Sequence, residues 1–330
     1  MIQILTPNGL KANVPESLEE DDTPRFNFNE DSDKAINYYN KYGYVIFSKC
    51  ISIENCIQLK NLWDKNIKPY KGKIYRQTTA KAEINQFNEN NWIMNPIVNL
   101  QSLNPKLFGD LKLASENNVF SNTYLCNALK LILGDKPKIV QSMFFEGNSA
   151  TWEHQDTYYL DSEVIGDMVA CWLALEEIKA DAGRFFISPE SHKINLEKQS
   201  MKNNYASNHE TYIKEVVSII KSKDMLVKAP YMDTGDVLFW NSKTIHGSLN
   251  SQSKTNSRAS ITLHAIPKTH KLLQFQARLK NISTDDLGNS LIHRPKDQSK
   301  LINKLIFSIE SNFPKIFYWI KKQAIKSLFK

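Results

Sequence analysis

Four apolar segments limit what this chain can fold into. Residues 139–145, 168–175, 237–240 and 259–266 each have the length and the β-branched or aromatic content of a buried strand. Most of the gaps between strands carry no helical spacing. Such a series favours antiparallel strands in a sandwich or jelly roll over an α/β sheet, whose parallel strands need helical crossovers. The exception lies between His192 and Lys228, where 210–221 reads as a helix inserted as a lid or partner surface over a barrel mouth. The fold class expected is mainly β with flanking helices.

Ahead of the strands, residues 1–30 mix prolines, polar residues and an acidic cluster, and read as an arm lying over the domain. Helical spacing from Ala35 to Tyr39 ends at Gly43, and 44–47 reads as a short buried strand. Ser52 caps a second helix whose apolar face is Cys56, Leu59, Leu62 and Trp63. Residues 68–116 read as loops and short helices bordering a cleft, and a further helix runs over 119–133 to Gly134.

Chemistry enters at Trp152-Glu153-His154-Gln155-Asp156. In a strand, residues i and i+2 share a face, so His154 and Asp156 point into one space. An imidazole and a carboxylate are two of the three ligands of a 2-His-1-carboxylate metal site. The pair alone is weak evidence, because seven histidines and 35 acidic residues make a His-x-Asp or His-x-Glu common. Downstream, His246-Gly247-Ser248 supplies a second imidazole, and Arg258 follows twelve residues after His246, placed to grip a carboxylate bidentately.

This ordered set, with Ala170-Cys171-Trp172-Leu173-Ala174-Leu175 and Gly183 to His192, resembles the phytanoyl-CoA dioxygenase family of iron(II)- and 2-oxoglutarate-dependent oxygenases over about 140–267. The resemblance implies a double-stranded β-helix (jelly roll, cupin-like) core. It implies iron(II) on His154, Asp156 and His246, with 2-oxoglutarate as cosubstrate, its far carboxylate on Arg258 and Ser248. It also makes Gln141 and Trp172 pocket candidates, brings in dioxygen, and admits ascorbate as reductant. The reaction implied is hydroxylation of an unactivated C–H bond of a small-molecule metabolite with release of succinate and carbon dioxide. A carboxylate in the third ligand position disfavours halogenation, which in related enzymes accompanies a small residue there. Where the family often has Pro-Gly-Ser-His, this chain has Pro189-Glu190-Ser191-His192, which puts the local turn in question. Two other readings use the same residues: a zinc hydrolase on the His/Asp/His set, and a non-catalytic cupin-like binding protein.

The domain organisation expected is an arm over 1–30, a catalytic domain over 31–297 with core 137–267 and insertion 193–227, and a basic helical tail over 298–330. Net charge is +7, but the lysines are scattered, so a nucleic-acid partner is not expected. The cysteines, Cys50, Cys56, Cys126 and Cys171, contain no CxxC and read as reduced thiols. With no basic-then-apolar leader and no long apolar run, a cytoplasmic location is expected. Tyr158 and Tyr159 are pocket or packing residues, His192 and His264 structural or functional, and His209, His270 and His293 solvent-facing. In the tail, Phe313, Ile316, Phe317, Ile320, Ala324 and Leu328 form an apolar stripe opposite Lys315, Lys322 and Lys326. Such a stripe packs on its own domain, on a second subunit, or on an anionic membrane surface.

Overall fold

In a computed structural model the described residues are 1–147, 149–194, 196 and 209–328, the side chains of 322 and 324–328 excepted. Residues 195 and 197–208 of the 193–227 insertion, and the side chains of Ala324 and Leu328 of the tail stripe and of Lys322 and Lys326 opposite it, thus lie outside what is described. Eight strands frame the site: β1 (Tyr44–Phe47), β2 (Pro137–Phe145), β3 (Thr151–His154), β4 (Val169–Ala174), β5 (Phe185–Ile187), β6 (Val237–Asn241), β7 (His246–Ser248) and β8 (Ser260–Pro267). The larger sheet runs β2-β8-β4-β6-β1, all antiparallel. It is extended at one edge by Arg25–Phe26, parallel to β1, and at the other by Leu291–Ile292, parallel to β2. The smaller sheet is β5-β7-β3. Two facing antiparallel sheets whose strands alternate between them are the expected jelly roll.

Alternation within the large sheet explains its two faces. Val169, Cys171, Leu173, Val237, Phe239, Ile261 and Leu263 point outward into a core shared with the helices. Those helices are α1 (Phe28–Tyr42), α2 (Ile53–Leu62), α3 (Pro105–Ser115) and α4 (Thr123–Leu133). Trp63 stacks on Phe144 at 4.0 Å in this layer. Each such fully buried side chain contributes on the order of 1.5–3 kcal/mol. Ala170, Trp172, Leu238 and Trp240 point the other way, into the space between the sheets.

Local signals account for the helix ends. Asn27 caps α1 and Ser52 caps α2 through their side chains, and Gly43 closes α1 at φ 80°. Gly43 has a second duty: its carbonyl accepts from Asn241 N and Thr244 Oγ1, holding the turn that leads into β7, and a Cβ there would meet His192 and Thr244 side chains. The helix expected over 119–133 begins only at Thr123. Asn122 caps it, accepting from Leu125 N, after a wide turn at Glu116–Phe120. The 68–116 stretch holds an eleven-residue helix, α3, with Asn104 as cap, Pro105 in its first turn and a kink at Phe108.

The N-terminal residues do more than lie over the domain. Ile2–Leu5 and Lys11–Val14 pair as a hairpin, and Ala12 and Val14 are fully buried. They share a core with α5 (His209–Ser222), through Tyr212, Ile213, Val216 and Ile220, on the outer side of the small sheet. All four cysteines are buried and free. No helix among the described residues is long and apolar enough to cross a membrane.

The departure at Glu190 falls at a turn position of positive φ. Glu190 takes the left-handed conformation a glycine would favour, φ 66°, at a cost of about 1–2 kcal/mol. Its N–H is held by the Tyr42 carbonyl at 2.8 Å, and the turn passes on to Ser191, whose hydroxyl accepts from Ile245 N, next to His246.

Candidate metal centre

His154 ends β3 and His246 begins β7, and the two are direct partners in the antiparallel ladder. Register therefore brings together two imidazoles 92 positions apart in the chain, their ring centroids 4.3 Å apart. Each ring is oriented the same way. Nδ1–H of His154 donates to the Trp152 carbonyl at 2.8 Å, and Nδ1–H of His246 donates to the Thr244 carbonyl at 2.8 Å. Fixing the proton on Nδ1 leaves Nε2 of both rings with a free lone pair, the state a metal requires. Asp156 is not on the strand as expected but in the tight turn Asp156–Tyr158 that follows it. Its Oδ1 lies 3.8 Å from His154 Nε2 and 3.5 Å from His246 Nε2. Ligand atoms of the three buried residues all fall within 4.8 Å of one another, so they could hold a metal ion.

The other carboxylate oxygen is anchored from the large sheet. Trp240 Nε1–H donates to Asp156 Oδ2 at 2.8 Å, and His264 Nε2 lies 3.5 Å from the same oxygen. The ladders align Gln141, His264, Ala170 and Trp240 in one row across β2, β8, β4 and β6. Trp240 and His264 thus lie beneath the candidate ligands. Sequence reasoning missed Trp240 and left His264 undecided, although the spacing 258, 260, 262, 264 does put His264 on Arg258's face. Burial would raise the Asp156 carboxyl, but the imidazoles of His246 and His264 outweigh it and hold it well below the usual carboxylate range. Replacing Trp240 by Phe keeps the packing and frees Oδ2. Iron(II) affinity, read by anaerobic titration, should fall roughly 10–100-fold, as for loss of other outer partners of metal ligands.

Burial, reinforced by His246, brings His154 down to about 3 from its ordinary 6.5, against the pull of Asp156. A depressed histidine contributes stability that is present above the unfolded value and lost as pH falls towards the folded one, because only the unfolded chain takes up the proton between them. Metal-free protein should therefore lose stability from pH 6.5 downward, with a slope approaching about 1.4 kcal/mol per pH unit from this group. Urea denaturation across that range, with His154→Gln flattening the slope, checks it.

Arg258 precedes β8 and is 4% exposed. Its Nη1 donates to the Gly183 carbonyl at 3.0 Å, while its buried Nε has no protein partner. The guanidinium lies over Phe145 and Trp172, at 5.2 and 5.9 Å from the ring centroids. Trp172 stacks with Phe185, which in turn stacks with His246, so the cation and the candidate metal ligands share one interior. Burial pushes the guanidinium down to about 9, a cost that a bound carboxylate would offset. Ser248 sits two residues after His246 on the same face of β7, its Oγ accepting from Thr151 N at 2.9 Å. Gly247 between them is obligatory on packing grounds: a Cβ would come within 2.5 Å of the Phe186 ring and the Thr151 carbonyl. Gln141 is half-buried opposite His264.

The phytanoyl-CoA dioxygenase (PhyH) family model matches residues 39–260. The chain belongs to that family. Among curated proteins none matches the sequence. Solved structures do, at low identity. The nonheme α-ketoglutarate-dependent carbocyclase SnoK from nogalamycin biosynthesis superposes with TM-score 0.54 and 14% identity, over 75% of this chain and 88% of that one. EctD from S. alaskensis with 2-oxoglutarate and 5-hydroxyectoine gives TM-score 0.52 and 14% identity, over 82% and 88%. The epimerase SnoN in complex with Fe3+, α-ketoglutarate and nogalamycin RO gives 0.51 and 12%, over 81% and 96%. These likenesses establish the double-stranded β-helix fold.

Aromatic groups surround the outer side of the metal residues. Tyr159 meets the His154 ring edge-on at 5.6 Å, and its hydroxyl lies 2.6 Å from His209 Nε2 at the start of α5. Tyr158 instead stacks on Tyr212 and is packing. His209 was expected to face solvent; it is half-buried, because α5 crosses close to the turn after β3. His270 and His293 are also half-buried, held by Ser162 Oγ and the Ser283 carbonyl. His192 contacts the Asn40 carbonyl.

Proposed function

We propose that this family member is an iron(II)- and 2-oxoglutarate-dependent oxygenase that hydroxylates an unactivated C–H bond of a small-molecule metabolite. One observation carries the reading: a His/Asp/His ligand set shares a buried interior with a guanidinium whose Nε has no protein partner. Two neutral imidazoles and a carboxylate, borderline and hard donors, suit iron(II) and would leave positions open on it. A zinc hydrolase would give the buried cation no role.

His154, Asp156 and His246 would hold the iron, and Arg258 with Ser248 would hold the far carboxylate of 2-oxoglutarate. Bound iron and 2-oxoglutarate, with dioxygen, would supply oxidative decarboxylation to succinate and carbon dioxide and the oxidation of a C–H bond. The chain's own part is positioning. Backbone carbonyls of Trp152 and Thr244 hold the imidazole tautomers, Trp240 turns the carboxylate, and Trp172 and Phe185 keep water from the interior. Tyr159 and His209 stand where substrate would approach His154.

The test is anaerobic reconstitution with iron(II) and 2-oxoglutarate, admission of oxygen in the presence of a metabolite extract, and measurement of succinate and product mass. Succinate with a product heavier by one oxygen atom is expected. Succinate with an isomer of unchanged mass, or one lighter by two hydrogens, would replace hydroxylation by epimerisation or by ring closure or desaturation. No succinate with any extract would overturn the oxygenase reading.

A further inference from the structure

The last two helices, α6 (Leu301–Asn312) and α7 (Pro314–Leu328), are mounted with their polar side inward. Glu310 is 3% exposed; its carboxylate accepts from Tyr75 Oη at 3.0 Å, from Tyr318 Oη and from Ala82 N, with Lys296 Nζ at 3.6 Å. Phe307 meets the Tyr75 ring edge-on beside it. Lys73 Nζ donates to the Ser311 carbonyl. Tethered this way, the apolar side has nowhere to go but out. On α6, Ile302, Leu305 and Ile309 are 61%, 57% and 42% exposed, Phe313 between the helices is 60% exposed, and on α7 Ile316 and Ile320 are 58% and 54% exposed. Of the described stripe residues Phe317 alone is half-buried; Phe313, Ile316 and Ile320 do not pack on their own domain, the first of the alternatives the sequence left open. A helix buries its apolar side where it can, and an apolar surface of this continuity marks an interaction site.

Charge selects the occupant. Residues 298–330 hold seven lysines and a single acid, Glu310, which is turned inward. Lys300, Lys315 and Lys321 are exposed around the stripe, and Trp319, 63% exposed, is the amphipathic ring favoured at a membrane–water interface. A second copy seated symmetrically would set lysines against lysines. We propose that α6 and α7 form a docking surface for an anionic lipid bilayer, lying in its interface with the apolar stripe among the acyl chains and the lysines at the headgroups. No described helix can cross a membrane, so the contact is peripheral.

Co-sedimentation of the full chain tests this. Binding to vesicles of equimolar phosphatidylcholine and phosphatidylglycerol should exceed binding to pure phosphatidylcholine by about tenfold or more and weaken as salt rises. Ile316→Asp with Ile320→Asp should abolish it without lowering the melting temperature, since both side chains are exposed. Lys315→Glu with Lys321→Glu should weaken it by roughly tenfold or more. The proposal is overturned if the wild-type chain stays in the supernatant, or if the aspartate variant sediments as well as wild type. It is equally overturned if light scattering finds a wild-type dimer that the aspartate variant turns into a monomer, since a second copy then covers the face.

Discussion

Asp156→Ala is expected to lose 2-oxoglutarate turnover entirely and to weaken iron(II) binding beyond the roughly 10–100-fold caused by losing an outer partner of a ligand. Asp156 Oδ1 is the group both Nε2 atoms face, and alanine leaves two imidazoles with nothing to close the third position. The fold should survive. Trp240 Nε1–H would lose its acceptor, a cost of about 1–3 kcal/mol for a buried donor, but the variant also no longer buries a carboxylate. Anaerobic iron(II) titration, succinate release and urea denaturation together separate metal loss from unfolding. Iron binding equal to wild type would remove Asp156 from the ligand set.

Arg258→Ala should raise the dissociation constant for 2-oxoglutarate on the iron-loaded, oxygen-free protein by roughly ten- to a hundredfold, since a charge-assisted pair contributes about 1.5–3 kcal/mol. Iron(II) affinity measured without 2-oxoglutarate should not change, which distinguishes this variant from Asp156→Ala. Arg258→Lys should recover only part of the loss. A lysine keeps the charge but cannot offer two parallel N–H donors while also reaching the Gly183 carbonyl. If Arg258→Ala binds 2-oxoglutarate as tightly as wild type, another residue holds that carboxylate.

Much of this site was legible in the chain. The His-x-Asp pair, the His-Gly-Ser segment and the arginine twelve residues on are local patterns, and the apolar segments at 139–145, 168–175, 237–240 and 259–266 mark strands of the larger sheet. Gly43 and Ser52 marked helix ends because their roles depend only on backbone conformation and one side-chain hydrogen bond with a near neighbour. α3 was less legible, since its cap, Asn104, and its opening Pro105 sit within a stretch of mixed composition.

What the sequence alone determined, then, is what neighbouring residues decide among themselves: strand or helix, cap or turn, and which side chains share a face. Tertiary structure alone decided which strands are neighbours and in what register. Only the β3–β7 pairing sets His154 beside His246, and only the row across β2, β8, β4 and β6 brings His264 and Trp240 under Asp156. The same holds for the C-terminal helices. The amphipathic pattern of the last one was plain in the sequence, but which side faces outward was decided by Glu310, whose partners Tyr75 and Ala82 are more than 200 positions away. A carboxylate with several donors waiting for it in the domain is anchored more firmly than an apolar stripe with no groove to enter, and the stripe is left to the surface.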